Sequence, residues 1–477
     1  MSEVRSPGTA AVLLPGFVGT ELPAWLAARL RDGLGGVCLF SENIASPQQL
    51  RELTAAIREA NPRALIAIDE EGGDVTRLHA ATGSPYPGNA VLGRLDDLAL
   101  TASVGAAVAS ELRAAGVNLN FAPDADINSD PDNPVIGVRS FGTDAELVAR
   151  HTGAWVAAHE GAGVAVSAKH FPGHGDTSAD SHHALPVVDL PLETLREREL
   201  EPFRAAIAAG ARTVMSSHIL LPQLDAEQPA TFSPRILGEL LRGELGFEGV
   251  VVSDALDMAG ASGEIGIAAA AVRALAGGCD LLCIGTRNTD AQLAEIEAAI
   301  DAAVGSGALE AERLADAVAR VSALSDSLAQ APGAEAATFA ADPVRIASAF
   351  AWRDGIEVPA DARLVALETT ANMAVGPSVP WGLASAGLTP EQVREGEQLP
   401  PSETPYLLVG KDNHRRAWTR ELIDRARVTH PTTVVVDMGW PGTDRAYADI
   451  ATFGASASVS AALRTVLEST KPDGRTP

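Results

Sequence analysis

The pattern of the chain predicts an α/β fold, a (β/α)8 TIM-like barrel followed by a smaller α/β domain of three-layer, sandwich-like form. Three observations carry that reading. Short apolar runs alternate with longer stretches of helical spacing from residue 10 to about residue 330, the runs number eight, and no Gly-x-Gly-x-x-Gly or Walker-type loop follows any of them. Alternating strands and helices imply parallel pairing through right-handed crossovers. Eight such units suit a closed barrel, and the missing phosphate-binding fingerprints speak against a doubly wound nucleotide-binding sheet.

The eight runs are Ala10–Leu14, Gly36–Phe40, Ala64–Ile68, Val117–Phe121, Val164–Ala168, Thr213–Met215, Val250–Val252 and Leu281–Ile284. Each is apolar and too short for an independent helix. Between them, spacings such as Leu293, Ile296, Ile300 and Val304, or Leu192, Leu195, Phe203 and Ile207, gather apolar side chains on one helical face. Gly116, Gly161 and Gly210 are the expected helix stops, because glycine accepts the left-handed conformation that follows a helix. A small-residue stretch from Gln330 to Ala337 marks a boundary, giving a barrel over 1–330, a linker over 331–345 and a small α/β domain over 346–477. In the last of these, Leu364–Leu367, Tyr406–Val409, Thr433–Val436 and Ile450–Phe453 read as four more strands. Lys411, Asp412, Asn413 and His414 follow the second of them and read as a solvated turn.

Lys and Arg number 36 against 62 Asp and Glu, a net charge of −26, so the general field repels nucleic acid and anionic membranes. The residues Met1–Ser6 lack the basic-then-apolar order of a signal peptide, and no apolar stretch approaches the roughly 18 residues of a membrane span. Cys38, Cys279 and Cys283 lie in apolar strand-like runs, which suits buried reduced thiols. The expectation is a soluble cytoplasmic protein with no nucleic-acid or membrane partner.

In a barrel, the residues that leave the strands at their C-terminal ends converge on one pocket. The third run ends in Asp69-Glu70-Glu71-Gly72-Gly73-Asp74-Val75-Thr76-Arg77. Asp69 adjoins the buried run and can accept hydrogen bonds from ligand hydroxyls, whereas Glu70 and Asp74 read as parts of a solvated loop. The fourth runs into Ala122-Pro123-Asp124-Ala125-Asp126 and on to Arg139, either a planar fork of donors or a surface salt-bridge partner. The fifth ends in Lys169 and His170; the lysine can be a Schiff-base nucleophile, a ligand of the substrate or a counter-ion. His218, after the sixth, is a ligand or a hydrogen-bonded wall. Asp254, after the seventh, is held by a rigid strand end and is the better nucleophile candidate, while Asp257 reads as the cap of the next helix.

The stretch Lys169-His170-Phe171-Pro172-Gly173-His174-Gly175-Asp176-Thr177, continuing to Asp180, His182 and His183, cannot be a core strand, because its polar groups would be buried unpaired. Asp180 can orient His182 so that one imidazole nitrogen first donates and then accepts a proton. With Asp254, this pair suits displacement at an electrophilic carbon. A glycosidase commonly uses two carboxyl groups, and here a His–Asp dyad can fill the second role.

These segments resemble glycoside hydrolase family 3, in its β-N-acetylglucosaminidase (NagZ-type) branch. The matching pieces are Ile68–Arg77, Asn120–Pro123, Arg139–Gly142, Lys169–Thr177 with Asp180-Ser181-His182, and Ser253–Leu256. The resemblance implies a retaining mechanism through a covalent glycosyl-enzyme, with Asp254 as nucleophile and His182, assisted by Asp180, as acid/base. It places Asp69, Arg77, Arg139, Lys169 and His170 on the sugar, Arg139 near the N-acetyl group, and calls for no metal or other cofactor. It further implies a small-molecule carbohydrate substrate, terminal β-linked N-acetylglucosamine on muropeptide fragments of cell-wall peptidoglycan recycling. The 346–477 region carries no motif of that family.

A phosphorylase using the same residues is the alternative, because a neutral histidine repels incoming phosphate less than a carboxylate does. Metal-dependent hydrolysis through members of the set His170, His174, Asp176, Asp180, His182 and His183 is disfavoured by a spacing that fits no familiar site. A Schiff-base aldolase at Lys169 and a barrel that binds sugar without turnover complete the alternatives.

Overall fold

The structure, a computed structural model, describes residues 8–177, 185–263, 265–330, 336–369, 373–376 and 379–469. Two compact units emerge, one comprising Met1–Glu70, Leu98–Ile127 and Asp144–Thr338, the other Glu71–Asp97, Asn128–Thr143 and Phe339–Pro477.

The first unit is the barrel. Its strands are β1 (Leu13–Pro15), β2 (Gly36–Leu39), β3 (Leu65–Ile68), β4 (Leu119–Asn120), β5 (Ala165–Phe171), β6 (Thr213–Ser216), β7 (Val250–Ser253) and β8 (Leu281–Gly285). Seven parallel ladders join them in the order β1-β8-β7-β6-β5-β4-β3-β2. The remaining gap is narrow, since the Gly35 N–H donates to Ala10 O at 3.0 Å just before β2 and β1. Because side chains alternate along a strand, one residue in two faces the interior: Leu14, Cys38, Leu65, Ala67, Leu119, Phe121, Ala165, Met215, Val250, Val252, Leu281 and Cys283 form one buried cluster. Val321, Leu324 and Leu328 of the helix Ala311–Ala329 join it. They meet the N-terminal residues of several strands, so this helix closes the end of the barrel opposite the one where strand ends carry chemistry. The three cysteines are buried and in no disulfide.

Two local expectations change. The first run bends earlier than expected: Thr9–Val12 is a 3-10 turn, and β1 begins only at Leu13. An apolar run is equally compatible with both conformations, and here the Thr9 hydroxyl bonds Asp301 at 2.8 Å. The second concerns helix stops. Gly116 and Gly210 take positive φ as expected, but Gly161 is the last helical residue and Gly163, at φ 82°, makes the left-handed turn.

The second unit holds a six-stranded sheet in the order β11-β10-β12-β13-β14-β9, built from β9 (Ala351–Trp352), β10 (Arg363–Leu367), β11 (Glu391–Val393), β12 (Tyr406–Gly410), β13 (Val434–Asp437) and β14 (Ile450–Ala451). All neighbours are parallel except β14 and β9. On one face Leu407, Val409, Val434 and Val436 pack with Val459 and Leu463 of the helix Ala457–Ser469. On the other, Leu408 and Val435 pack with Leu422 and Ile423 of the helix Ala417–Thr429. This gives the expected three layers. The two strands absent from the sequence reading, β9 and β11, are two and three residues long and too short to show a period. Lys411 is not in a solvated turn. Its ammonium pairs with Asp74, which is itself buried and also accepts the Ala455 N–H at 2.8 Å. Among the described residues no helix is long and apolar enough to cross a membrane.

Candidate active site

The inward parity of the barrel strands determines which polar side chains reach its C-terminal mouth. Leu65 and Ala67 face inward, so Asp69 does too; Ala165 leads through Ser167 to Lys169; Val250 and Val252 lead to Asp254. The Lys169 ammonium lies 2.8 Å from Asp69 Oδ1, with the lysine side chain 3% exposed. Asp254 sits immediately after β7, half-buried, and its Oδ1 accepts the N–H of Ala255 at 2.7 Å. That short local bond fixes the carboxylate against the strand end. His218 resolves as a wall: its Nε2 lies 3.1 Å from Ala255 O and its Nδ1 2.9 Å from Thr231 Oγ1. Asp257 does not cap the next helix. It accepts from the Thr286 N–H at 2.8 Å and sits directly against Gly285, where a Cβ would fall 2.0 Å from its carboxyl carbon.

The polar stretch that begins at Lys169 is, for its first three residues, a buried strand. β5 runs to Phe171, all seven of its residues buried. Contrary to the expectation from sequence, this strand tolerates burial because Lys169 and His170 each have a partner. Backbone pairing continues past β4: Lys169 N–H donates to Pro123 O at 3.2 Å and Ala125 N–H to Lys169 O at 2.6 Å. The side chains that complete the arrangement come from the β4 loop. Asp126, fully buried, accepts the backbone N–H of His170 at 3.2 Å and of His174 at 2.7 Å, and its Oδ2 lies 2.7 Å from His170 Nδ1. Its own N–H donates to Asp124 Oδ1 at 3.0 Å.

His174 packs edge-on to His170 with centroids 5.7 Å apart. Burial, and then the neighbouring His170 ring, push its imidazole down to about 4, against smaller opposing effects of Asp126 and Asp254. It is therefore neutral in neutral solution. Asp126 and Asp124 have no role in the sequence reading, and His174 enters it only among the disfavoured metal ligands. The signal available was two acids two residues apart directly after a buried run.

Arg77 and Arg139 belong to the second unit. Arg139 is buried in a bidentate pair with Glu71, Nη2–Oε1 at 2.8 Å and Nε–Oε2 at 3.0 Å, so neither the surface salt bridge nor the solvated acidic loop describes it. Arg77 Nη2 donates to Ala374 O at 2.9 Å. Of the eight residues singled out by sequence, Asp69, Lys169, His170 and Asp254 lie at the C-terminal ends of β3, β5 and β7 or directly after them, and two lie in the other unit. Asp180 and His182 fall outside the described residues.

Among the described residues, Asp124, Asp126 and His170 are the one group of three donors close enough to hold a metal, their ligand atoms within 4.8 Å of one another. The contacts are those of a hydrogen-bonded pair: His170 Nδ1 and both oxygens of Asp126 are already engaged with each other or with backbone N–H groups. A cation would have to displace those donors.

Residues 20–324 match the glycosyl hydrolase family 3 N terminal domain. A β-hexosaminidase of Stenotrophomonas maltophilia (strain K279a) is 42% identical over 284 residues, covering 57% of this chain and 83% of the relative. The structure of a glycoside hydrolase family 3 β-N-acetylglucosaminidase from Paenibacillus sp. str. FPU-7 aligns with a TM-score of 0.86 at 32% identity, over 99% of this chain and 98% of the other. NagZ from Neisseria gonorrhoeae, solved in complex with N-trifluoroacetyl-D-glucosamine, aligns with a TM-score of 0.53 at 32% identity, over 66% of this chain and 97% of the other. A family match across most of the barrel, together with 42% identity to a relative covered over 83% of its length, makes this chain a member of glycoside hydrolase family 3 and a glycoside hydrolase.

Proposed function

We propose that the protein is a retaining exo-β-N-acetylglucosaminidase that removes terminal β-linked N-acetylglucosamine from muropeptide fragments in the cytoplasm. The observation that carries this reading is the carboxylate of Asp254, held at the end of β7 in the same barrel mouth as the Asp69–Lys169 pair. The names of the similar proteins support the sugar. The chemistry is assigned to the barrel, 1–330 by sequence, with 331–345 a linker and 346–477 the second domain.

In the first step an oxygen of Asp254 attacks the anomeric carbon as the glycosidic bond breaks, and His182, oriented by Asp180, gives its proton to the leaving oxygen. In the second, His182 takes a proton from water as that water attacks the same carbon and releases Asp254. Two inversions give net retention. Asp69 and Lys169 form a charge-balanced pair that can exchange hydrogen bonds with hydroxyls, one accepting and the other donating. His170 supplies a further ring nitrogen.

Turnover of an aryl β-N-acetylglucosaminide tests the reading. Asp254→Asn should lower kcat by about a thousandfold or more. His182→Ala should lose roughly 10²–10⁴-fold on a poor leaving group and far less on an activated one. Wild-type activity in Asp254→Asn would sink the proposal. Running the assay with and without phosphate, and measuring sugar 1-phosphate, separates hydrolysis from phosphorolysis.

A further inference from the structure

Asp126 has no part in the steps above, yet three groups of His170 and His174 converge on its carboxylate. Its side chain is fully buried. Oδ1 receives the backbone N–H groups of His170 and His174 at 3.2 and 2.7 Å, and Oδ2 faces His170 Nδ1 at 2.7 Å. The residue is itself held, because its N–H closes a turn onto Asp124 Oδ1. The next stretch of chain then rests backbone against backbone: a Cβ on Gly175 would fall 1.5 Å from Ile127 O. One carboxylate therefore suspends the turn from His170 to Gly175 from the loop that follows β4.

A buried carboxylate in this setting accepts and does not donate, so the proton between it and His170 lies on Nδ1. That leaves Nε2 as the ring atom that turns to other partners. We infer that Asp126 is a positioning residue of this glycosidase: it commits the Nδ1 proton of His170, so that Nε2 meets a sugar hydroxyl, and it holds Lys169 and His170 in one geometry through the turn it suspends. The inference rests on the β-N-acetylglucosaminidase reading for the identity of the sugar, but the protonation of His170 stands apart from it.

Asp126→Asn is the discriminating variant. It is nearly isosteric, and its Oδ1 can keep both backbone donors, which places an NH₂ group opposite His170 Nδ1. Donor then faces donor, and the ring must move its proton to Nε2. ¹⁵N imidazole spectra of the full chain, with His170→Gln used to assign the signal, should show Nδ1–H in the wild type and Nε2–H in Asp126→Asn. Kinetics on an aryl β-N-acetylglucosaminide should show kcat/KM lower by roughly 10- to 100-fold, the equivalent of one hydrogen bond to a charged group. The larger part should appear in KM, because His170 is assigned to sugar binding.

An unprotonated Nδ1 in the wild type overturns the inference, and that measurement needs no variant to fold. Unchanged kcat/KM in a folded Asp126→Asn overturns it as well. Retained turnover in Asp254→Asn would instead overturn the parent reading and leave the His170 spectra unaffected.

Discussion

Three buried titratable side chains in the barrel are tuned by their neighbours in ways that stability should report. His159 stacks on Trp155 with centroids 5.1 Å apart, and its Nε2 lies 3.1 Å from Asn120 Nδ2. Burial pushes it down to about 3, slightly offset by a bond to the Trp155 backbone. A neutral ring is what Asn120 requires, since that amide N–H group needs an acceptor. The same Asn120 holds both backbone groups of Glu70, at 3.0 and 2.9 Å, and so fixes the turn by which the chain leaves Asp69. Glu199 behaves in the opposite sense. Burial pushes its carboxyl up to about 7, against the pull of Arg198, whose Nε lies 2.6 Å away. His159 and His174 have folded values below the ordinary imidazole, so their contribution to stability is present above about pH 6.5 and is lost as pH falls toward 4 and 3. Glu199 has a folded value above the ordinary carboxyl, so its contribution is present below about pH 4.5 and is lost as pH rises through 7. Melting curves from pH 4 to 8 should therefore show Glu199→Gln gaining on the wild type as pH rises. They should also show a weaker acid-side decline in His159→Gln. Parallel curves for all three proteins would contradict these assignments.

At the scale of elements, the strands were legible because burial leaves a local record. Runs such as Val250–Val252 and Leu281–Ile284 are apolar on both faces, as strands between a barrel interior and a layer of helices must be. The same rule misjudged β5. Lys169 and His170 are strand residues whose partners, Asp69 and Asp126, lie 100 and 44 positions away in the chain, so no local window contains the evidence that they are satisfied. The candidate site divides similarly: Asp69, Lys169 and Asp254 could be picked out because each directly follows a buried run, whereas Asp126 gains its importance only from what converges on it. The Gly175–Ile127 approach belongs to this scale as well. Gly175→Ala must push the turn off Ile127 O, so kcat/KM should fall at least tenfold while the barrel stays folded, at an overpacking cost of about 1–3 kcal/mol. Full activity in a correctly folded Gly175→Ala protein would show that the close approach is dispensable.

On the scale of the whole molecule, the division into units does not follow the order of the sequence. Two stretches from within the barrel's span, Glu71–Asp97 and Asn128–Thr143, belong to the unit formed mainly by the C-terminal residues. Within that unit Asp74 is anchored by Lys411, and Arg139 by Glu71. Lys411→Met leaves the Asp74 carboxylate buried without its cation and should cost about 3–5 kcal/mol in denaturant unfolding. The double variant Lys411→Met/Asp74→Asn should recover part of that loss, because the uncompensated charge is gone. A double variant no more stable than the single one would mean that the pair is not what anchors the segment.

The alternation of strands and helices, the barrel, the family and the strand-end residues that carry chemistry can all be read along the chain. All of these are written in short-range patterns of burial and in motifs a few residues long. Which charges are satisfied, and by whom, emerges on folding: Lys169 answers Asp69, Asp126 holds His170 and His174, Glu71 binds Arg139, and Lys411 reaches Asp74. The physical reason is that apolar burial depends on the kind of residue and its period. Pairing a buried charge depends instead on one particular partner, and the chain brings that partner near only when it folds.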